Sequence, residues 1–259
     1  TSLRGGASVT VEVRTLHHGV HSGMFGGPAP DALTALCRLL ATLHDERGDV
    51  AVPGLVRGTA DPMDMTEERF RADAGVLDGV QLTGTGGLTE RLWAHPSITI
   101  TGIDAPSVAQ SANVLVPSAR ARLSMRIAPG DDAAKAQAAL VSYLETHAPW
   151  GVQVTVEPGF TAAPYAAPPG GPAYRAMHAA LAEAWGTPAV DIGVGGSIPF
   201  VTGYGDIFPE AEILITGVED PDARAHGANE SLHLAMFERV CVAEALLLSR
   251  LAGPSPNGS

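Results

Sequence analysis

The 259-residue chain is short of cysteine, of aromatic residues and of charge. Its two cysteines, Cys37 and Cys241, are too few for a disulfide framework and lack the spacing of a zinc finger. Both lie in apolar stretches with helical spacing and read as two buried thiols, which favours a reducing, cytoplasmic setting. Charged residues make up 17% against 45% hydrophobic, a balance that excludes a chain kept unfolded by self-repulsion. Bases are the scarcer sign, 16 against 28 acids, for a net charge of −12. No basic face is expected to displace counterions from a phosphate backbone, so nucleic acid is not an expected partner. Apolar runs are far shorter than the roughly 20 residues of a bilayer span, so no membrane partner is expected either. An initiator methionine and a signal-type apolar region are also lacking, and Thr1 reads as a cut point inside a longer protein.

What is present is periodicity. Val9, Val11 and Val13 alternate with polar neighbours over Ala7–Thr15, the pattern of a half-buried strand. From Pro30 to His44, Leu33, Leu36, Cys37, Leu39, Leu40 and Leu43 recur at three- and four-residue spacings, the pattern of an amphipathic helix. Residues 45–96 read as an insertion with a helix from Thr66, where Asp64 and Glu67 have capping-box spacing, and another around Leu88–Ala94. Ser97–Gly102 and Ser118–Ile127 alternate as an antiparallel pair, Asp131 caps a helix through Leu144, and Val152–Val156 alternates again. The order strand, helix, strand, strand, helix, strand predicts a two-layer ferredoxin-like βαββαβ domain over residues 1–158. Gly159–Gly171, rich in Ala, Pro and Gly, reads as a linker. Residues 159–259 then offer a helix at Ala173–Trp185, strands at Ala189–Ile192 and Glu212–Thr216, a helix starting at Ser197, and a closing helix to Leu251. That content is thin for a domain, and something else is expected to complete its sheet.

Three loops carry candidate chemistry. Leu16–Gly27 places three histidines, His17, His18 and His21, among four glycines between a strand end and a helix. Imidazoles there could ligate a metal, contact substrate or simply be solvated on a glycine-permitted turn. Gly193–Pro199 reads as a glycine-flanked helix start with Ser197 at the cap, suited to a carboxylate, though an ordinary capped helix has the same pattern. A serine nucleophile, Ser197 with His226 and Asp222, lacks the G-x-S-x-G elbow. Gly217–Ser231 is acidic and holds His226, and one histidine does not make a zinc site. Glu67 and Glu68 open a surface helix, where the dipole alone accounts for them.

Taken together, LRG followed by HSGMFGG, then NVLVP (Asn113–Pro117) with MRIAPG (Met125–Gly130), then GGSIP and AHGANE (Ala225–Glu230), resemble the carnosinase, aminoacylase and acetylornithine deacetylase family of dinuclear zinc hydrolases, most closely its dipeptidase branch. The resemblance implies an α/β (α+β) architecture: a ferredoxin-like lid and dimerisation domain, then the C-terminal portion of an α/β zinc-peptidase catalytic domain. It implies that His226 is a zinc ligand and that His21 reaches into the other subunit of a homodimer to polarise the scissile carbonyl. Arg126 would hold the substrate carboxylate, with Asn113, Gly196 and Ser197 adding hydrogen bonds. The substrate class would be dipeptides or N-acyl amino acids, and the cofactor two Zn²⁺ ions, with Mn²⁺ or Co²⁺ as substitutes. The family's other zinc ligands lie upstream of the lid, beginning with His-x-Asp, and no histidine here has Asp two residues on. The chain is therefore expected to be a C-terminal part, nearly inactive alone. The reading from another class is a non-catalytic dimerisation or carboxylate-binding module.

Overall fold

The computed structural model describes residues 1–60, 63–168, 170–225 and 227–252. A two-residue strand, β1 (Ser2–Leu3), leads through Arg4 into the long strand β2 (Gly5–Arg14). Val9, Val11 and Val13 of β2 are buried as their alternation requires. A short strand, β3 (Val20–His21), and a one-turn helix, α1 (Ser22–Phe25), follow. Helix α2 (Ala32–Ala41) begins at Asp31, one of whose oxygens accepts the Thr34 amide at 2.8 Å while the other accepts that of Val116, also at 2.8 Å. Its buried stripe is Ala32, Ala35, Leu36, Leu39 and Leu40. Cys37 falls off that stripe and is exposed, as is Cys241, so the expectation of two buried thiols is wrong at both positions. One residue, 100° of helical turn, separates Leu36 in the core from Cys37 in water.

Residues 45–96 are irregular apart from α3 (Glu67–Ala74) and α4 (Leu88–Trp93). The cap of α3 is Thr66, whose hydroxyl accepts the Arg69 amide at 3.2 Å, and not Asp64. This segment is held by Asp49. Its carboxylate takes the Thr85 hydroxyl at 2.5 Å, the Thr85 amide at 3.1 Å and the Arg57 guanidinium at 2.8 Å. Burial alone would push this carboxyl up, but those donors hold it at about 2. The folded value lies below that of an unfolded aspartate, so the stabilisation is complete above about pH 4 and is lost as pH falls toward 2. Asp49→Asn is expected to cost about 2 kcal/mol at pH 7 and to flatten the acid limb of stability. Urea unfolding of both proteins between pH 2 and 7 checks this, and parallel curves would contradict it.

Strand β4 (Ser97–Asp104), the short β5 (Val114–Leu115) and the ten-residue β6 (Ser118–Ile127) come next. Helix α5 (Ala133–Thr146) is capped by Asp132, not Asp131, whose carboxylate is turned to the Val56 amide at 2.9 Å. Strand β7 (Gln153–Ala162) completes a fully antiparallel sheet of order β4-β6-β2-β7. Helices α2 and α5 cover one face, joined by the Tyr143 hydroxyl donating to the Thr42 carbonyl at 2.7 Å. Between them and the sheet lie Leu36, Leu39, Leu43, Leu123, Met125, Leu140 and Leu144. The predicted βαββαβ order is thus observed.

Gly159–Ala162, read as linker, is instead the end of β7. The pairing of β2 with β7 shifts register between Ala7 and Val9, and Gly159 sits at that irregularity against Ser8. A Cβ at Gly159 would stand 2.3 Å from the buried Ser8 hydroxyl oxygen. Gly159→Ala should therefore destabilise the sheet by about 1–3 kcal/mol through overpacking. A melting temperature equal to wild type would contradict that.

The C-terminal part contains β8 (Tyr165–Ala166), α6 (Pro172–Trp185), β9 (Gly193–Val194), α7 (Pro199–Ile207) and α8 (Leu234–Leu251). Strand β1 pairs antiparallel with β8 and parallel with β9, so the first residues of the chain belong to this small sheet. The strand expected at Ala189–Ile192 is displaced to Gly193–Val194, and Glu212–Thr216 forms no strand. Among the described residues this last segment pairs with no strand. Glu212 accepts the Tyr174 amide at 2.8 Å, near the start of α6. Helices α6 and α8 pack through Met177, Ala180, Val240 and Ala243. Large apolar side chains nevertheless remain exposed on α7 (Phe200, Tyr204, Ile207) and α8 (Leu234, Leu248). Among the described residues no helix is long and apolar enough to cross a membrane.

Candidate functional site

The sequence-predicted site residues fall into two groups at opposite ends of β6. At one end, Arg126 lies across from Gly6 on β2 and Ser97 on β4, so the three share one face of the sheet. This is the face turned away from α2 and α5, since the core residues Met125 and Ile127 flank Arg126 on either side. A Cβ on Gly6 would lie 3.3 Å from the Ser197 hydroxyl, so the bare backbone of β2 is what lets Ser197 approach this face. Ser197 is not the helix cap it was expected to be. Ile198 occupies the N-cap of α7 with no side-chain bond, and Pro199 fills the first turn. The Ser197 hydroxyl is therefore not spent on the helix.

Sequence reasoning gave no chemistry to Arg4, which proves central to this end. Its backbone amide donates to the Val194 carbonyl at 3.1 Å. Its guanidinium Nε donates to the Gly195 carbonyl at 3.3 Å, and Nη1 donates to the His95 carbonyl and the Ser97 hydroxyl, each at 3.3 Å. Burial, and secondarily the like charge of Arg126, lower its pKa to about 10. Among the described residues no carboxylate lies within 4 Å of either guanidinium. Two half-buried cations without an acid between them form a site short of negative charge. The LRG motif was the available signal, but an arginine beside two glycines says nothing locally of what it clamps 190 residues away.

At the other end of the strand, β3 pairs with β5, setting His21 across from Val114. The Ser22 amide donates to the Asn113 carbonyl at 2.9 Å. His21 and Asn113 thus share one exposed two-stranded tip. The His21 Nδ1 accepts the Gly23 amide at 3.1 Å, capping α1. A ring nitrogen that accepts carries a lone pair, so the proton of the neutral imidazole sits on Nε2. A Cβ on Gly23 would stand 2.9 Å from the His21 ring, which explains the glycine of HSG. Met24 and Phe25 beside it are exposed as well, so nothing among the described residues covers the tip. His17 and His18 are exposed too, and neither joins a metal-ligand cluster among the described residues.

The eight residue steps from Ser118 to Arg126 span roughly 26 Å at strand rise. Within one chain, His21 and Asn113 are therefore not brought together with Arg126, Gly196 and Ser197. The His226 assignment lies outside the described residues, although Arg224 and Asn229 on either side both hold left-handed φ, 54° and 60°. Asp222 is exposed, and no hydrogen bond from Ser197 to a histidine or acid occurs among the described residues. Among them too, no group of three or more His, Cys, Asp or Glu could hold a metal ion.

Residues 1–152 match the peptidase dimerisation domain M20_dimer. The chain belongs to this M20 family. It is 38% identical over 254 residues to a cysteinylglycine-S-conjugate dipeptidase of Corynebacterium striatum, covering 96% of this chain and 55% of that protein. It is 23% identical to the human Beta-Ala-His dipeptidase, over 89% of this chain and 48% of that one. Among solved structures, the dipeptidase Dug1p of Saccharomyces cerevisiae superposes with a TM-score of 0.82 at 20% identity, over 98% of this chain and 56% of that one. Human carnosine dipeptidase 1 gives 0.76 at 21%, over 96% and 56%. At those identities the two structures attest the M20 fold. The chain spans about half the length of the curated relatives that it matches.

Proposed function

We propose that this chain is the lid, dimerisation and substrate-carboxylate portion of a metal-dependent dipeptidase acting on dipeptides or N-acyl amino acids as a homodimer. Residues 1–158 serve as the lid, with β1 reaching back into the catalytic side, and residues 159–259 as the C-terminal portion of the catalytic domain. The observation that carries this reading is the separation along β6. A neutral donor, His21 Nε2, stands at one end and, at the other, a pair of arginines with no carboxylate within 4 Å among the described residues, so one complete site requires two copies.

In the proposed site, Arg126 and the Ser197 hydroxyl hold the C-terminal carboxylate of the substrate, with the backbone at Gly196 donating beside them. Asn113 accompanies His21 from the partner copy. His21 Nε2 donates to the scissile carbonyl oxygen and follows it as it becomes an oxyanion. The described residues do not form a metal centre, so two zinc ions would need donors beyond this chain, with His226 contributing from within it. The metal would supply the activated water, and the chain alone would be nearly inactive. The apolar side chains left exposed on α7 and α8 suit a chain that packs against further structure. Two exposed free thiols suit a reducing cytoplasm.

The reading is tested by comparing a dipeptide with its C-terminal amide in the dipeptidase containing this chain. The free carboxylate is expected to raise kcat/KM by about a hundredfold. Equal values would remove the carboxylate site from the account.

A further inference from the structure

We propose that Arg4 is the positioning residue of the carboxylate site, a clamp that fixes the Gly195–Ser197 turn to the lid sheet at the point where Arg126 emerges. The inference rests on the carboxylate reading above, but its geometry is independent of it. Arg4 stands between β1, which belongs to the small sheet, and β2, which belongs to the lid sheet. Its donors divide between the two sides, Nε to Gly195 on the turn and Nη1 to Ser97 on β4 and to His95 just before that strand. The amide of the same residue holds Val194, one position before the turn. Ser97 is the register partner of Arg126, so a single planar guanidinium links the two halves of the anion site.

The fit is close. A Cβ on Gly195 would meet Arg4 Nη2 at 2.9 Å, so a side chain at that position would displace the guanidinium from its present place. All three side-chain acceptors are neutral oxygens, and among the described residues no carboxylate lies within 4 Å of the Arg4 guanidinium behind Arg126. Arg4 therefore contributes a fixed positive field as well as geometry, and a bound carboxylate relieves the repulsion between the two guanidiniums. Lysine can supply the charge but not the forked donors that reach Gly195 and Ser97 together.

The test uses Arg4→Gln, Arg4→Lys and Arg126→Gln in the dipeptidase containing this chain, read by steady-state kinetics and by amide hydrogen exchange. Amides of β2 and β6 report whether each variant is folded. In Arg4→Gln, exchange across Gly193–Ser197 should accelerate at least tenfold, and KM for a dipeptide should rise about tenfold with a smaller change in kcat. Arg4→Lys should recover part of KM in low salt yet keep the fast exchange. Unchanged exchange at Gly193–Ser197 in both Arg4 variants would overturn the clamp, whatever the kinetics. Fast exchange in Arg4→Gln, with Arg126→Gln leaving KM untouched, would support the clamp and overturn the carboxylate reading instead.

Discussion

In the proposed dipeptidase, replacing His21 by alanine should lower kcat about a hundredfold while changing KM little. The size follows from the loss of one preorganised donor to an oxyanion, typically about 3 kcal/mol of transition-state stabilisation. The direction follows from the tautomer. With Nδ1 occupied by the Gly23 amide, the ring presents a proton on Nε2 without needing a positive charge. The substrate carbonyl accepts that bond weakly, and the developing oxyanion accepts it strongly, so the effect falls on kcat. His21→Gln keeps a neutral donor at a different reach and should recover part of the loss. A His21→Ala enzyme with wild-type kcat would remove His21 from the chemistry.

Arg126→Gln should have the complementary signature. The carboxylate is bound alike in the ground and transition states, so its loss raises KM, by about a hundredfold for a bidentate charged contact, with kcat largely kept. The C-terminal amide should be hydrolysed by Arg126→Gln and wild type with similar kcat/KM. The positive charge of Arg4 beside Arg126 makes the wild-type preference steeper and sensitive to salt. If Arg126→Gln weakened the dipeptide and its amide equally, the arginine would be structural.

The four-stranded domain was legible because its signals are local and repeated. Val9, Val11 and Val13 on one strand and the stripe from Leu33 to Leu43 on one helix state their own period, and the order of elements does the rest. Errors occur where a partner decides. Gly159 looks like linker until Ser8 of another strand is seen to need the space of its missing side chain. Glu212–Thr216 reads as a strand but pairs with none among the described residues. Asp131 and Asp132 are equal candidates for a cap, and the Val56 amide chooses between them. Ser197 was placed at a cap that Ile198 occupies. Arg4 stayed silent because its acceptors lie at positions 95, 97 and 195, far beyond any sequence window. The candidate site residues themselves came from motif resemblance, while their division between two ends of β6 became visible only in the fold.

That division is the central claim, and mixing two defective enzymes tests it most directly. His21→Ala and Arg126→Gln dimers, each nearly inactive at low substrate, are unfolded together, refolded and assayed. If His21 serves the partner's site, each mixed dimer contains one site with Arg126 from one subunit and His21 from the other. Random pairing then restores about a quarter of wild-type activity. If His21 acts within its own subunit, every site in the mixture stays defective and no activity returns, which would contradict the account.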